Sequence, residues 1–457
     1  MRVESNRESS DMYESQNPRR GSWSRPIVGA ALAMLYSAAF MYATKTLISP
    51  QQGFVGYEYR PAEVLAVLLG VLGTSLIGVL VSKPAARPSA FAIAFLAATV
   101  GLPLLWVPVW YGPLDDPRVI ELQLATIACF VILSIVPRIN YRPIRIWAPS
   151  LRLVVGILLL FSGAVILLLV GYYGLRPKLI ALDDVYEHRS EYSESINSMG
   201  SYLVGSLVNA VLPVLAVIGL HYRKVFLALL GVGGYLLTYS LTGYKSHLVG
   251  MLLIVSAYLL VKYFPRAPQM WMALLGAIVA LAYAADRLTG GVVWTSLLTR
   301  RAITTAGVNT SFFLDYFADA EKFMLRHSVL SWAGESPYLY SPARVIGDYY
   351  YGSSETAANA NFIADGLANF GWVGALLACL LLAILLAVYD RCTDHIAITL
   401  SVPALVMVLI AVSNTAILTA MVTHGALLAG FVVASLPASR QDEDEGNIEV
   451  KLDGVQL

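Results

Sequence analysis

The chain has 457 residues, 57% of them hydrophobic and only 13% charged, with a net charge of +1 at pH 7. A soluble domain has nowhere to hide that much apolar surface, so the composition excludes a water-soluble globule and indicates a polytopic membrane protein. The three cysteines, Cys129, Cys379 and Cys392, are scattered and suggest neither a disulfide framework nor a zinc site.

Residues 1–25 are polar, too long and too acidic for a signal-peptide n-region, and read as a cytoplasmic tail. Apolar runs between Pro, Gly and charge breaks then predict an all-α fold of about twelve transmembrane helices. They lie near 27–48, 62–82, 89–110, 120–136, 151–174, 201–220, 225–241, 247–264, 270–285, 361–389, 396–412 and 415–436. Residues 26–437 thus form one transmembrane domain, and 438–457, with QDEDEGNIEV, an acidic cytoplasmic tail.

Arg19, Arg20 and Arg25 place the N-terminus inside by the positive-inside rule. Alternation then makes 83–88, 137–150, 221–224, 265–269, 390–395 and the C-terminus cytoplasmic. The basic turns PRINYRPIRIW and HYRK both land inside. Two long hydrophilic segments, 175–200 and 286–360, fall outside, and the second is long enough to form a lid or cavity wall.

Within the second segment, SFFLDYFADAEKFMLRHS (311–328) predicts an interfacial amphipathic helix. Phe312, Phe313, Tyr316, Phe317, Ala320, Phe323 and Met324 share one face; Asp315, Asp319, Lys322 and Arg326 share another. It reads either as a helix lying on lipid or as a catalytic face. ANANFIADGLANFGWVGALL (358–377) opens the tenth span, where Asn361, Asp365 and Asn369 recur every fourth residue as one polar stripe. An Asp near a bilayer centre costs about 2.5–3.5 kcal/mol, so the stripe needs protein or water beside it. Helix-to-helix hydrogen bonding, with Gly366, Gly371 and Gly374 allowing close approach, is one explanation; the floor of an outward-facing cavity is the other. Asn359 and Asn361 are expected at headgroup depth, Asp365 and Asn369 further in.

The candidates for chemistry are charged groups at the outer boundary. Lys245 sits in the tight turn SLTGYKSHLVG, Arg189 in VYEHRSEY, Arg300 and Arg301 after GGVVWTSLLT, and Arg344 in YSPARVIGDYY. Arginine's planar fork can hold a pair of phosphate oxygens and stays charged in a partly dry site. For any one arginine taken alone, pairing with a neighbouring acid is the favoured reading, Arg189 with Glu187 or Glu191 and Arg344 with Asp348. Asp315, Asp319, Glu335, Asp348, Glu355 and His327 offer acids and bases. Asp115–Asp116 and Asp183–Asp184 read as turn residues, so no metal site is expected. With no P-loop or dinucleotide fingerprint, no cofactor is expected either, and nucleic acid is not expected as a partner.

The order RRAITTAGVNTSFFLDYF, PARVIGDYYYG, NANFIADGLANFGWVGALL, then a span ending AVYD, resembles bacterial O-antigen polymerases of the Wzy type. TGYKSHLVG, VYEHRSEY and NTAILTAMVTHGALLAGFVV are weaker matches, and related members often carry Arg where this chain has Lys245. The resemblance implies a membrane glycosyltransferase of the GT-C type in the bacterial inner membrane. Its implied substrates are polyprenyl-diphosphate-linked oligosaccharides as donor and acceptor, amid membrane lipids, with a chain-length regulator protein as a partner. Cleaving the anomeric carbon–diphosphate bond develops positive charge on the sugar and negative charge on the leaving group. Preorganised cations can stabilise a diphosphate without a metal or a proton donor. On that reading Arg301, Arg344, Arg189 and Lys245, with Arg300 beside them, hold the diphosphate. His327, Asp315 or Asp348 accepts the acceptor's proton, and Tyr338, Tyr340, Tyr349 and Tyr350 stack on sugar rings. An O-antigen ligase would share this architecture with a different acceptor. A flippase would favour charges deep in the spans, related halves or broken midplane helices.

Overall fold

The computed structural model describes residues 24–82, 87–174, 198–328 and 330–439. Nearly all of both expected tails, most of the 175–200 segment with Arg189, and the side chain of Lys245 lie outside the described residues. Every secondary-structure element described is helical. Nine of these helices are long and apolar enough to cross a membrane.

In chain order, α1 runs from Ser24–Ala43 on through a π-helical Thr44–Ile48. Helix α2 is Val64–Leu80, α3 Pro88–Trp110, α4 Asp116–Ile135 and α5 Leu151–Tyr173. Then follow α6 (Met199–His221), α7 (Val225–Thr242), α8 (Lys245–Tyr263) and α9 (Ala267–Thr289). Helix α10 begins as a π-helix, Thr295–Thr304, and continues as an α-helix, Thr305–Asp319. Helix α11 is Pro342–Tyr351, α12 Phe362–Cys392 and α13 Ile398–Asn414. Helices α2 and α13 are shorter than the nine. The last expected span is two short helices, α14 (Ile417–Val422) and α15 (Ala426–Ala434), parted at Gly425 in the left-handed region (φ +69°).

Prolines explain three irregular turns. Pro50, Pro103 and Pro213 each stand two residues beyond a five-residue π-helical segment, Thr44–Ile48, Ala97–Gly101 and Leu207–Val211. Proline has no N–H to give and its ring crowds the carbonyl four residues back, and a widened turn relieves both. Helix α4 starts sharply because Asp115 accepts the Arg118 N–H and Pro117 fits the first turn, where no N–H is needed.

The loops gather at two ends of the bundle. At one, Asp390 accepts the Ser89 N–H (2.9 Å) and hydroxyl (2.5 Å), and the Ile144 N–H reaches the Arg391 carbonyl (2.9 Å). Gln269 donates to the Ser82 carbonyl, and Ser439 N–H to His395. At the other end, Arg60 N–H meets the Trp110 carbonyl (3.0 Å), Tyr57 the Thr304 hydroxyl (3.0 Å), and Gln52 the Ser296 hydroxyl (3.3 Å). Segments that alternation assigns to one side of a membrane therefore meet one another.

Two sequence expectations fail at the second end. The amphipathic helix expected over 311–328 starts earlier and stops at Asp319; Met324 and Leu325 are left-handed (φ 53° and 58°). Its phenylalanine face does not lie on lipid. Phe312, Phe313, Phe317 and Phe323 are buried in protein, because α10 nests between α3 and α12. Glycines make the room: a Cβ on Gly307 would lie 2.6 Å from Val107, and one on Gly56 2.5 Å from Phe312.

The second is α12, which is not one continuous rod. Phe370 and Gly371 leave helical geometry, Gly371 at φ 61° and ψ −143°, a region essentially restricted to glycine. A Cβ built on Gly366 would lie 2.5 Å from the backbone of Gly374. Residues eight apart in a straight helix are about 12 Å apart, so the short arm, 362–369, folds back against the long arm, 372–392. A straight 31-residue helix would be about 46 Å long, more than a hydrocarbon core of about 30 Å, whereas the long arm alone fits it.

Candidate functional site

The fold-back answers what the polar stripe faces, and reverses its expected depth. Asn369 sits at the bend, near the mouth, while Asn361 starts the arm that descends beside the span. Asn361 Oδ1 caps that arm by accepting the Ile363 (3.0 Å) and Ala364 (3.3 Å) N–H groups, and its amide donates to Thr310 (2.9 Å). The broken helix leaves carbonyls at its C-terminal end, and a strap over 320–328 satisfies them. Phe323 N–H donates to the Ala368 carbonyl (3.0 Å), and Met324 N–H to that of Asn369 (3.2 Å). Asn369 Oδ1 accepts the Leu325 N–H (2.9 Å). Asn361 and Asn369 are thus structural. Asp365 is different: Asn369 donates to its carboxylate (3.2 Å), and no other side chain does among the described residues.

Helices α10 and α11 are clamped together. Tyr350 donates to Asp315 (2.5 Å) and stacks on Phe312 at 4.1 Å with 9° between the rings. Burial, then the Asp315 carboxylate, push the Tyr350 phenol well above its usual range, so it remains a donor. The other Asp315 oxygen accepts from Arg118 (3.2 Å), whose second nitrogen reaches Asp319 (3.3 Å). Asp315, expected as a base, is therefore a latch joining α4, α10 and α11, with both oxygens engaged. Below it, Asn309 is fixed by Tyr351 (3.0 Å) and by its own bond to the Asn359 carbonyl (2.6 Å).

Three of the five candidate cations lie on these same two helices, while Lys245 begins α8 and Arg189 lies outside the described residues. Arg300 is half-buried, donates to Ser296 (3.1 Å), and is close enough to Tyr57 and Tyr351 for its charge to lower both phenol pKa values, against the larger rise from burial. Arg301 is exposed one residue on. Arg344, Asp348 and Tyr349 are exposed on α11, and Arg344 forms no ion pair with Asp348 or any other acid among the described residues. Its local structural pairing is not made. Tyr349 packs edge-on to Tyr316 (5.1 Å).

His327 lies on the strap against the edge of Phe323 (4.7 Å). Its Nδ1 is buried without a hydrogen-bond partner among the described residues, and burial lowers its pKa, so it is a neutral imidazole with an open nitrogen. Tyr338 donates to the Glu321 carbonyl (2.9 Å), and partial burial raises its pKa to about 12.

Arg118, Tyr57 and Asn309 are the site groups that sequence reasoning missed. Arg118 had a signal: Asp115–Asp116–Pro117–Arg118 is a capped helix start that aims the arginine outward, not merely a turn. No protein-family model matches the chain, and neither a curated protein nor a solved structure matches it significantly.

Proposed function

We propose that this chain is a membrane glycosyltransferase of the GT-C type with twelve crossings. It polymerises polyprenyl-diphosphate-linked oligosaccharide repeat units at the non-cytoplasmic face of the bacterial inner membrane. One observation carries the reading: Arg300, Arg301 and Arg344 sit on two clamped helices at one end of the bundle, and Arg344 has no acid partner among the described residues. Exposed guanidinium groups on a rigid platform suit a diphosphate leaving group, whose charge grows as the glycosidic bond breaks. The chemistry needs no metal on this reading. His327 or Asp365 takes the acceptor's proton, since each keeps open acceptor capacity; Asp348 is the exposed alternative.

Deleting the gene and examining surface glycans tests this. Single repeats on the final carrier, with long chains gone, are expected. Lipid-linked polymer accumulating without attachment would make the chain a ligase. Repeat units trapped on the cytoplasmic face would make it a flippase.

A further inference from the structure

A cavity of about 170 Å³ opens on the flank of the bundle between α4 and α12, at the fold-back. Arg118 and Glu121 of α4, Phe317 of α10, Lys322 of the strap, and Gly371 and Trp372 at the bend line it. Its charges argue against a phosphate. Arg118 is bound to Asp315 and Asp319, and the Lys322 ammonium is spent on the carbonyls of Phe317 and Ala320 (3.1 Å to the latter). Two cations thus stand against three carboxylates, and diphosphate would meet net repulsion. Glu121, by contrast, is exposed and makes no hydrogen bond or ion pair among the described residues. Trp372 supplies an aromatic wall. Leu124, one turn along α4 from Glu121, and Val373 and Leu376, beside and one turn beyond Trp372, are exposed apolar side chains. The cavity therefore opens where a lipid tail would run.

We propose that this cavity is a subsite for one uncharged pyranose ring of the lipid-linked glycan, held by Trp372 and Glu121. It rests on the glycosyltransferase reading above and separates the sugar's place from that of the diphosphate, which stays with the arginines of α10 and α11. A pyranose presents weakly positive C–H edges that lie well on the negative face of an indole. Its hydroxyls donate to a free carboxylate in charge-assisted hydrogen bonds. The volume is well below the ~300–1,000 Å³ of a drug-sized ligand pocket, so it takes one ring rather than an oligosaccharide.

The test uses the full chain in lipid nanodiscs and two probes, geranyl diphosphate and geranyl diphosphate-linked N-acetylglucosamine, titrated by calorimetry. Trp372→Ala is expected to weaken the sugar-bearing probe about tenfold and leave the sugar-free probe unchanged, with Trp372→Phe recovering most of the loss. Glu121→Gln, which keeps the side-chain size, is expected to weaken only the sugar-bearing probe, by about fivefold. Equal weakening of both probes, or of neither, overturns the subsite. A sugar-bearing probe that depends on Trp372 while geranyl diphosphate binds equally well to wild type and Arg344→Ala leaves the subsite standing and removes the arginines from diphosphate binding. Failure of wild-type protein to bind either probe overturns both.

Discussion

The two ends of the bundle close in opposite ways. At the end holding Asp390, one carboxylate takes both the N–H and the hydroxyl of Ser89, and Arg391 finishes the seal, its Nε donating to the Arg142 carbonyl and its own carbonyl accepting the Ile144 N–H. At the other end α10 and the short arm of α12 descend into the bundle. The half-buried Asp315 carboxylate and the buried amides of Asn309, Asn361 and Asn369 hold segments together while arginines remain at the surface. Where polar groups only pair, the end is a seal; where pairing fixes a platform and leaves charge over, the end can bind.

The largest effect should come from removing an exposed charge of the platform. Arg344→Ala or Arg301→Ala is expected to slow chain elongation about 10²–10³-fold, as for loss of one preorganised charge stabiliser, with thermal stability unchanged. Elongation at the normal rate in protein that reaches the membrane would remove that residue from the platform. Next, Asp390→Ala strands two buried donors and should cost about 1–3 kcal/mol of stability, read by thermal unfolding in detergent, with activity per folded molecule intact. An equally stable variant would mean that the closed end does not depend on this seal.

Gly371→Ala forces a Cβ into backbone geometry that only glycine adopts readily, at about 1–3 kcal/mol. It should also lower activity, because the strap and the bend move together; full activity would show that the fold-back serves packing alone. Tyr350→Phe removes one bond of the latch and should cost about 1 kcal/mol, with faster amide exchange confined to 342–351. Uniformly faster exchange would mean that α11 is not a separable unit.

The smallest effect is pH-dependent. Burial holds the His327 pKa below the ordinary 6.5. As pH falls through that value, the unfolded chain takes up a proton that the folded chain refuses, so stability declines from about pH 6.5 downward until the folded pKa is reached. His327→Gln should flatten that part of the profile, and an unchanged slope would assign it to another group.

Much of this was legible in the sequence because bilayer thickness imposes it: helix positions, the pairing of loops by side, and the concentration of charge in 286–360. What escaped depends on partners. The phenylalanines at 312–323 have the periodicity of a helix on lipid, and only close contacts at Gly56, on another segment, and at Gly307, earlier on α10, reveal that protein covers them. The Asn361–Asp365–Asn369 stripe is a true helical stripe, but a single dihedral pair at Gly371 decides whether it belongs to a span or to an arm folded against one. Arg344 and Asp348 stand four apart on α11, spacing that favours pairing, yet the exposed helix leaves them apart, where water screens the attraction.

The contact between Gly366 and Gly374 sets a limit on how this region can vary. In an ordinary core pair, a larger residue on one side is relieved by a smaller one on the other. Here each missing Cβ would strike the other's backbone, which is there whatever residue occupies the position. A substitution at either glycine therefore has no compensating partner across the contact. Rescue would have to come from elsewhere, through changes that let the two arms part, and such changes would open the sugar cavity beside them.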